Sequence, residues 1–480
     1  MQLNLIPFPA QVTVSGGYAS VPVTEKIDPS MAHESYRLSL TPQGSTLTAG
    51  SEQGLIWGRN TLEQLGRQFG DALPCLEIGD TPAYPIRAFH LDSARHMLPL
   101  AELKKMVDMA AYFKLNTLHW HIADDQGWRI ECKAFPRLHE IGAWRNGDHF
   151  GTYHSEEREG GYFTREEVKE FVAYCHSRGL QVIPELELPG HVTAILAAYP
   201  ELSCRGEKQE VCTRAAITSE ILCAGREEVY TFLETLIDDL LELFPDPWFH
   251  IGGDEAPKIR WEHCPHCQRK LQEEGLSSLR QLQGYMTNRV AAFLRSRGRR
   301  TIIWNDGAYG GNLDSDIVLQ VWFPDQDGAL QAHGAKGGQM IYSPVEICYC
   351  DYPYGEHPQK GIHDMVMEIP GVPREAILGG ETLLWSEFIR TPERMQELAW
   401  PRYTALAECC WRGDDRGDYE DFLTRLRGIL PVFEEKGIQI TPEWSWDPEP
   451  EEAARQSREF RLQFEAESEN QDYDELLSQM

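Results

Sequence analysis

From residue 86 onward, short apolar runs alternate with longer stretches in which apolar residues return every three or four positions. The short runs read as strands and the longer ones as amphipathic helices. Eight strands are predicted, at residues 87–92, 117–121, 181–186, 248–252, 301–304, 317–322, 339–343 and 376–380. The helices between them carry start and stop signals. Thr164 and Glu167 form a capping box ahead of Val168, Phe171, Val172 and Cys175, and Gly179 ends the run. Val229, Phe232, Leu233, Leu236 and Leu240 repeat the spacing, as do Leu282, Met286, Val290, Phe293 and Leu294 before Gly298. Pro99 opens another helix carrying Leu103, Met106, Val107 and Ala110. Eight strand–helix units predict an α/β fold, a (β/α)8 TIM barrel over residues 84–415. An open doubly wound sheet is the rival topology, but no Gly-x-Gly-x-x-Gly follows a strand at a helix start.

Two smaller regions flank the barrel. Residues 1–83 read as a small α+β domain, with strands at Tyr36–Leu40 and 45–48 and a helix over 54–69. Leu55, Leu62, Leu65 and Phe69 lie on or near one helix face, and Asp80-Thr-Pro-Ala-Tyr-Pro makes a turn-rich link. Residues 416–480 read as an acidic helical extension. A helical pattern runs over 422–433, a charged terminal helix over 451–467 is expected to pack on the barrel, and residues 469–480 are expected to be loose.

Charge narrows the partners. Asp and Glu number 75 against 45 Lys and Arg, a net charge of −30. So acidic a surface repels nucleic acid phosphate and anionic lipid, and suits a neutral substrate such as a sugar. No apolar run approaches the roughly 20 residues that span a bilayer. The opening MQLNLIPFPAQV has no basic n-region or long apolar stretch, so the expectation is a cytoplasmic protein whose 12 cysteines are reduced.

Catalytic residues of barrel enzymes sit at the C-terminal strand ends. Here those ends read Asp92, Arg95 and His96 in LDSARH; His119, His121, Asp124 and Asp125 in HWHIADD; Glu185, Glu187 and His191 in PELELPGH; and His250, Asp254 and Glu255 in HIGGDE. WND, QVW and GGETLLWSE follow on strands five, six and eight. Taken singly, Asp125 and Glu185 read best as a helix cap or a salt-bridge partner, while His119 and His121 read equally well as satisfied interior histidines or as functional groups. The pair Asp254–Glu255 reads differently. Gly252 and Gly253 remove side chains just before it, and two adjacent acids at a barrel mouth repel, raising at least one pKa. A raised carboxylic acid is what a leaving-group oxygen needs as proton donor at neutral pH. Trp304, Trp322 and Trp385 fall at strand ends too, and flat indoles bury the apolar faces of a pyranose.

In order along the chain, LDSARH, LNTLHWHIADDQGWRIE, PELELPGH, HIGGDE and GGETLLWSE resemble glycoside hydrolase family 20, the β-N-acetylhexosaminidases. LIPFPAQV and GLIWGRNTLEQL resemble that family's small N-terminal domain. The resemblance implies removal of a terminal β-linked N-acetylhexosamine from an oligosaccharide or glycoconjugate. The substrate's own acetamido oxygen is the nucleophile and an oxazolinium ion the intermediate. It implies roles residue by residue: Glu255 as acid and then base, Asp254 on the acetamide N–H, and Arg95 and Glu387 on ring hydroxyls. Trp304, Trp322 and Trp385 are the pocket walls, and Asp124 and His191 support Glu255. Tyr349 in CYCDYPY resembles the tyrosine that bonds the acetamide oxygen, with Tyr352 and Tyr354 as alternatives. The family needs no metal or other cofactor and includes dimers, so a homodimer is within expectation. The resemblance assigns no role to Asp306.

Rival readings remain at the level of sequence. One is a catalytically silent sugar-binding protein on the same scaffold, although it would not need the acid pair. Another is a metal-dependent hydrolase using His119, His121 and Asp124. The segment HCPHCQ places Cys264 and Cys267 at the spacing of half a zinc site, which Cys204, Cys212 or Cys223 would have to complete. With no matching second Cys pair, these are expected to be buried thiols, not ligands.

Overall fold

The computed structural model describes residues 1–215 and 217–468. The expectation for residues 469–480 lies outside the described residues. The N-terminal unit is a five-stranded sheet in the order Gln11–Tyr18, Pro74–Asp80, Tyr36–Leu40, Ser45–Ala49, Val23–Ile27. Its pairings are antiparallel except the last, which is parallel. The helix Glu52–Phe69 covers one face, capped by Ser51, whose side chain accepts from the Gly54 N–H. Gly58 lets helix and sheet approach, since a Cβ there would stand 2.3 Å from Leu47. Three of the five strands escaped the sequence reading. Gln11–Tyr18 and Val23–Ile27 are almost wholly exposed edges, so neither has an apolar face to show. In Pro74–Asp80 the alternation of Leu76 and Ile78 is brief and runs into turn residues.

All eight predicted barrel strands form. They are Ile86–Asp92, Thr117–His121, Gln181–Glu185, Trp248–His250, Arg300–Trp304, Val318–Val321, Met340–Tyr342 and Ile377–Thr382, called strands one to eight below, and they close into a parallel barrel. Closure depends on Gly379. Its φ is +149°, and a Cβ would lie 1.8 Å from the Ile86 carbonyl oxygen of strand one. One expected crossover helix is missing: strands five and six are joined only by a 3-10 turn at Asn305–Ala308. The helix Arg165–Ser177 carries the predicted capping box at Thr164 and Glu167.

Inward-facing residues alternate along each strand and stack in layers. Ile86, Ala88, Ile183, Ile302, Val318 and Ile341 form an apolar plug. Two residues further along their strands, His90, Glu185, Trp304 and Gln320 replace it with a buried polar layer that His119, His250 and Glu381 complete. The barrel is therefore oil at its base and charge beneath its mouth.

The flanking regions dock through buried polar seams. Trp411 of the helix Arg402–Arg412 joins the N-terminal core, and Asp80 accepts from its indole N–H at 2.9 Å and from Lys114 at 3.2 Å. Glu408 accepts from the Phe8 N–H at 2.9 Å and from Arg425 at 2.9 Å, while Arg425 donates to the Leu5 carbonyl at 2.7 Å. The helical pattern at 422–433 is two helices, Tyr419–Ile429 and Pro431–Glu435, because Pro431 lacks the N–H that continuation needs. The terminal helix Pro450–Ser468 reaches the barrel through Phe460 on Tyr352 (4.7 Å between ring centroids) and Phe464 on Phe388 (5.3 Å). Among the described residues no helix is long and apolar enough to cross a membrane.

Removing Glu408 would strip Arg425 of its one fully buried partner and leave only the exposed Asp421 carboxylate, 2.9 Å away, against its charge. Glu408→Ala is expected to cost about 3–5 kcal/mol by denaturant titration, while Arg297→Ala, which opens the exposed pair with Asp238, should leave the midpoint almost unchanged.

Candidate active site

A cavity of about 910 Å3 opens beside the C-terminal strand ends. Eight of the ten residues singled out from sequence line it: Arg95, His191, Asp254, Glu255, Trp322, Tyr349, Trp385 and Glu387. Asp124 and Trp304 do not.

The acid pair sits on a turn that only this sequence permits. Gly252 and Gly253 have φ of +63° and +111°, and a Cβ on Gly252 would stand 1.7 Å from Glu187. Glu255 itself has φ +42° and His191 φ +51°, left-handed conformations that non-glycine residues hold only under tertiary constraint. Asp306 supplies part of that constraint. Its carboxylate accepts the Glu255 backbone N–H at 3.0 Å and the Trp322 indole N–H at 3.2 Å, locking one wall of the cup to the acid. Burial, with the Glu255 charge adding to it, raises the Asp306 carboxyl to about 6 against these two donors. His191 links the pair to the floor. Its Nε2 lies 3.5 Å from Glu255 and 3.7 Å from Asp254, and its Nδ1 lies 3.3 Å from Asp124 and 3.4 Å from Asp125. Burial disfavours the His191 cation, but Asp124, Asp125 and Glu255 outweigh it and push the imidazole well above the ordinary histidine range.

The raise expected on at least one acid of the pair falls on Asp254, whereas the sequence reading ties it to the proton donor. Burial pushes its carboxyl well above the ordinary range, the Asp306, Glu255 and Glu185 charges push it further, and His191 opposes them. Its Oδ1 is buried with no hydrogen-bond partner among the described residues.

Elsewhere on the lining, Arg95 is held at 2.8 Å from Asp124, 3.3 Å from Asp92 and 3.6 Å from Glu387, and donates to Gln126 at 3.0 Å. Its guanidinium stacks 4.9 Å above Trp385. Burial raises the Glu387 carboxyl, and Arg95 opposes the rise. Of the three candidate tyrosines, Tyr349 is the one set among the indoles, 6.2 Å from Trp322 and 6.3 Å from Trp385. The Tyr354 hydroxyl is engaged by the Trp400 carbonyl at 3.0 Å, and Tyr352 stacks on His357 at 4.5 Å.

Trp304 and Asp124 belong below the cup. Trp304 is 1% exposed, its indole donates to Glu185 at 2.8 Å and its ring lies 5.8 Å from Trp385. It backs the wall instead of forming it. Asp124 is engaged by His121 at 2.8 Å as well as by Arg95. Burial raises its carboxyl, but Arg95, His191 and His121 outweigh that and pull it well down. Glu185 is the hub, touching His121, His250 (3.0 Å) and His119 (3.3 Å). Burial opposes the cations at His119 and His121, yet Glu381, Glu185 and Asp124 lift them to about 10 and about 9. Metal ligation requires neutral imidazole, the form this network disfavours. Asp125 is engaged by a distant segment, accepting the Thr193 N–H at 2.8 Å and hydroxyl at 2.6 Å where the helix Thr193–Ala198 begins.

Sequence reasoning missed Asp351, Gln126 and the role of Asp306. Asp351 lines the cavity two residues after Tyr349, and burial together with Glu387 raises its carboxyl. Its signal was an acid after strand seven, a strand end that was read only for tyrosine. The assembled cup has aromatic walls, a cation–carboxylate grip and an acid pair. That suits a neutral ring rich in hydroxyls, because indoles cover its apolar face while the grip takes its polar rim.

Comparison with known proteins agrees with this geometry. Residues 84–414 match the family described as glycosyl hydrolase family 20, catalytic domain, and residues 2–81 match glycosyl hydrolase family 20, domain 2. The chain is 32% identical to the beta-hexosaminidase of Akkermansia muciniphila over 444 residues, covering 88% of this chain and 89% of that one. It is 34% identical to the beta-hexosaminidase of Porphyromonas gingivalis, covering 85% of this chain and 54% of the relative, so it spans about half of that protein. Among solved structures, a beta-N-acetylhexosaminidase superposes with a TM-score of 0.86 at 30% identity, over 93% of this chain and 99% of that one. The exo beta-N-acetylglucosaminidase of Vibrio harveyi, solved with N-acetylglucosamine, gives 0.79 at 27% identity over 92% and 79%.

Two outcomes are expected from the site's own chemistry. Asp306→Asn keeps the volume but offers one acceptor oxygen where two donors converge, so turnover should fall roughly 10- to 100-fold with folding intact by circular dichroism. The second concerns pH. His119 and His121 titrate at about 10 and about 9 in the fold, above the roughly 6.5 of unfolded histidine. Their stabilisation is complete below about pH 6.5 and is lost as pH rises through the folded values. The thermal midpoint should therefore drop between about pH 7 and pH 10, less steeply in Glu381→Gln, where His119 has lost a partner.

Proposed function

The chain belongs to glycosyl hydrolase family 20, and from that membership and the geometry of the cup we propose that it is a retaining, exo-acting β-N-acetylhexosaminidase. Its substrate is a terminal β-linked N-acetylglucosamine or N-acetylgalactosamine at the non-reducing end of an oligosaccharide or glycoconjugate. One observation carries this reading: two adjacent acids share a wall of a cup lined by Trp322, Tyr349 and Trp385, with Arg95 and Glu387 in the same cavity.

Neighbouring residues on one short turn cannot flank a sugar as acid and opposite-face nucleophile. A nucleophile carried by the substrate removes that requirement. Glu255, the more exposed of the two at 28% against 14%, protonates the departing oxygen and then draws a proton from water. The 2-acetamido oxygen attacks the anomeric carbon as the glycosidic bond breaks, giving a cyclic oxazolinium ion that water opens with overall retention. Asp254 takes the acetamide N–H. Its carboxylate is destabilised by burial and by like charges, so a positive charge arising beside it is strongly favoured at that moment. Tyr349 donates to the acetamide oxygen, while Arg95 and Glu387 hold the ring hydroxyls.

On an aryl N-acetyl-β-glucosaminide, Glu255→Gln and Asp254→Asn should each lower kcat by roughly a thousandfold or more. The first product observed by NMR should be the β-anomer, and a thiazoline mimic of the cyclised intermediate should inhibit strongly. Unimpaired turnover in Glu255→Gln, or release of the α-anomer, would remove the assignment. A catalytically silent sugar-binding protein would show no turnover in the wild type.

A further inference from the structure

The second cysteine pair that the spacing lacked is supplied by folding. Cys204 and Cys223 close a long excursion after strand three and meet Cys264 and Cys267 from the excursion after strand four, so that all four sulfurs lie within 4.8 Å of one another. The Cys204–Cys267, Cys223–Cys264 and Cys223–Cys267 separations are 3.8, 3.7 and 3.6 Å. A disulfide needs about 2.05 Å, and all four residues are free thiols. A tetrahedral ion with zinc–sulfur bonds of about 2.3 Å spaces its ligands about 3.8 Å apart, which is the spacing found. Cys223, Cys264 and Cys267 are buried and Cys204 is half-buried.

The backbone is shaped for the same purpose. Cys264 precedes the helix Pro265–Glu273 and Cys267 lies in its first turn, where the partial positive charge of the helix start favours a thiolate. Gly225 lets the turn after Cys223 lie flat on that helix start, since a Cβ there would stand 2.1 Å from the His266 carbonyl carbon. The antiparallel Ser203–Leu222 bridge pairs the residues that immediately precede the two cysteines and so brings Cys204 and Cys223 together. Trp261 donates to the Leu222 carbonyl at 2.8 Å, and Glu220 pairs with Arg260 and with Arg205 at 2.7 Å. Cys212 is not in the cluster; its thiol meets the Arg214 carbonyl.

We infer that Cys204, Cys223, Cys264 and Cys267 bind one zinc ion in a closed, four-thiolate structural site that the catalytic chemistry does not use. Four thiolates leave no open position for water or substrate, so the ion serves as a staple. It ties two excursions at the rim of the cavity. The first carries Ala215 and Ile217, which line the cavity, and the Arg214 carbonyl, which accepts at 2.7 Å from Gln126, the residue that also accepts from Arg95. The second descends directly from Asp254 and Glu255. Because an unfolded chain holds no such site, zinc binding adds to the stability of this rim.

The test is the metal content of the full-length chain, purified without chelator from zinc-supplemented medium and read for zinc and iron by plasma mass spectrometry. One zinc per chain is expected, released as a thiol-specific mercurial consumes four thiols. Cys223→Ser and Cys267→Ser should each hold less than a tenth of an equivalent, while Cys212→Ser should keep its zinc. Should the ligand variants fail to fold, cobalt exchange into the wild type provides the second reading, with the visible bands of tetrahedral cobalt thiolate expected. Metal-free protein with four natively alkylatable cysteines, a disulfide between any two of them, or an equivalent of iron would each overturn the zinc assignment. None of these readings depends on hydrolase activity.

Discussion

Charge buried inside the barrel is the constraint from which the site follows. Glu185 lies at zero exposure above an apolar plug, where an unpaired carboxylate would be prohibitively costly. It is held by His121, His250, His119 and the Trp304 indole, and those groups are pinned in turn by Asp124 and Glu381. Each member constrains its neighbour because a lost contact would leave a buried polar group less well satisfied. From this floor Asp124 reaches Arg95 and His191, and His191 reaches the acid pair. The geometry of the mouth is thereby set from beneath, by electrostatics within the barrel.

The same low-polarity surroundings give the acid pair its character. Asp254 is half-buried near three other carboxylates, and its buried Oδ1 has no hydrogen-bond partner among the described residues. Such a group is poorly stabilised until a donor or a cation arrives, which suits the proposed role of receiving an amide N–H and then facing an oxazolinium charge. Glu255 is more open, held in a left-handed backbone by Asp306 and neighboured by the His191 ring at 3.5 Å. Two chemically similar side chains in adjacent positions thus acquire different environments from the turn that presents them.

Around this rigid centre, the walls come from excursions with little regular structure of their own. Trp322 is tied to Asp306, Trp385 is sandwiched by Arg95 and the histidines, and the terminal helix adds Phe460 and Phe464 to the lining. The cysteine cluster extends the same logic to the excursions after strands three and four: loops that cannot bury enough apolar surface to hold a shape need a cross-link.

The barrel was legible in the chain because its determinants are local. Strand alternation, the capping box at Thr164 and the acids and indoles after the strands are properties of short segments. The motif order carried the family resemblance, which the family matches bear out. Edge strands such as Val23–Ile27, the missing fifth crossover helix and the break at Pro431 were less legible, since neither face of an exposed edge is apolar and periodicity does not report a bend. What only the tertiary structure decided was which groups meet. That Trp304 lies behind the wall, that Asp306 grips Glu255, that Asp254 is the acid pushed up by its surroundings, and that Cys204 and Cys223 complete a cluster with Cys264 and Cys267 all depend on contacts between distant segments. Burial and electrostatic coupling are sums over neighbours in space, and adjacency along the chain does not contain them.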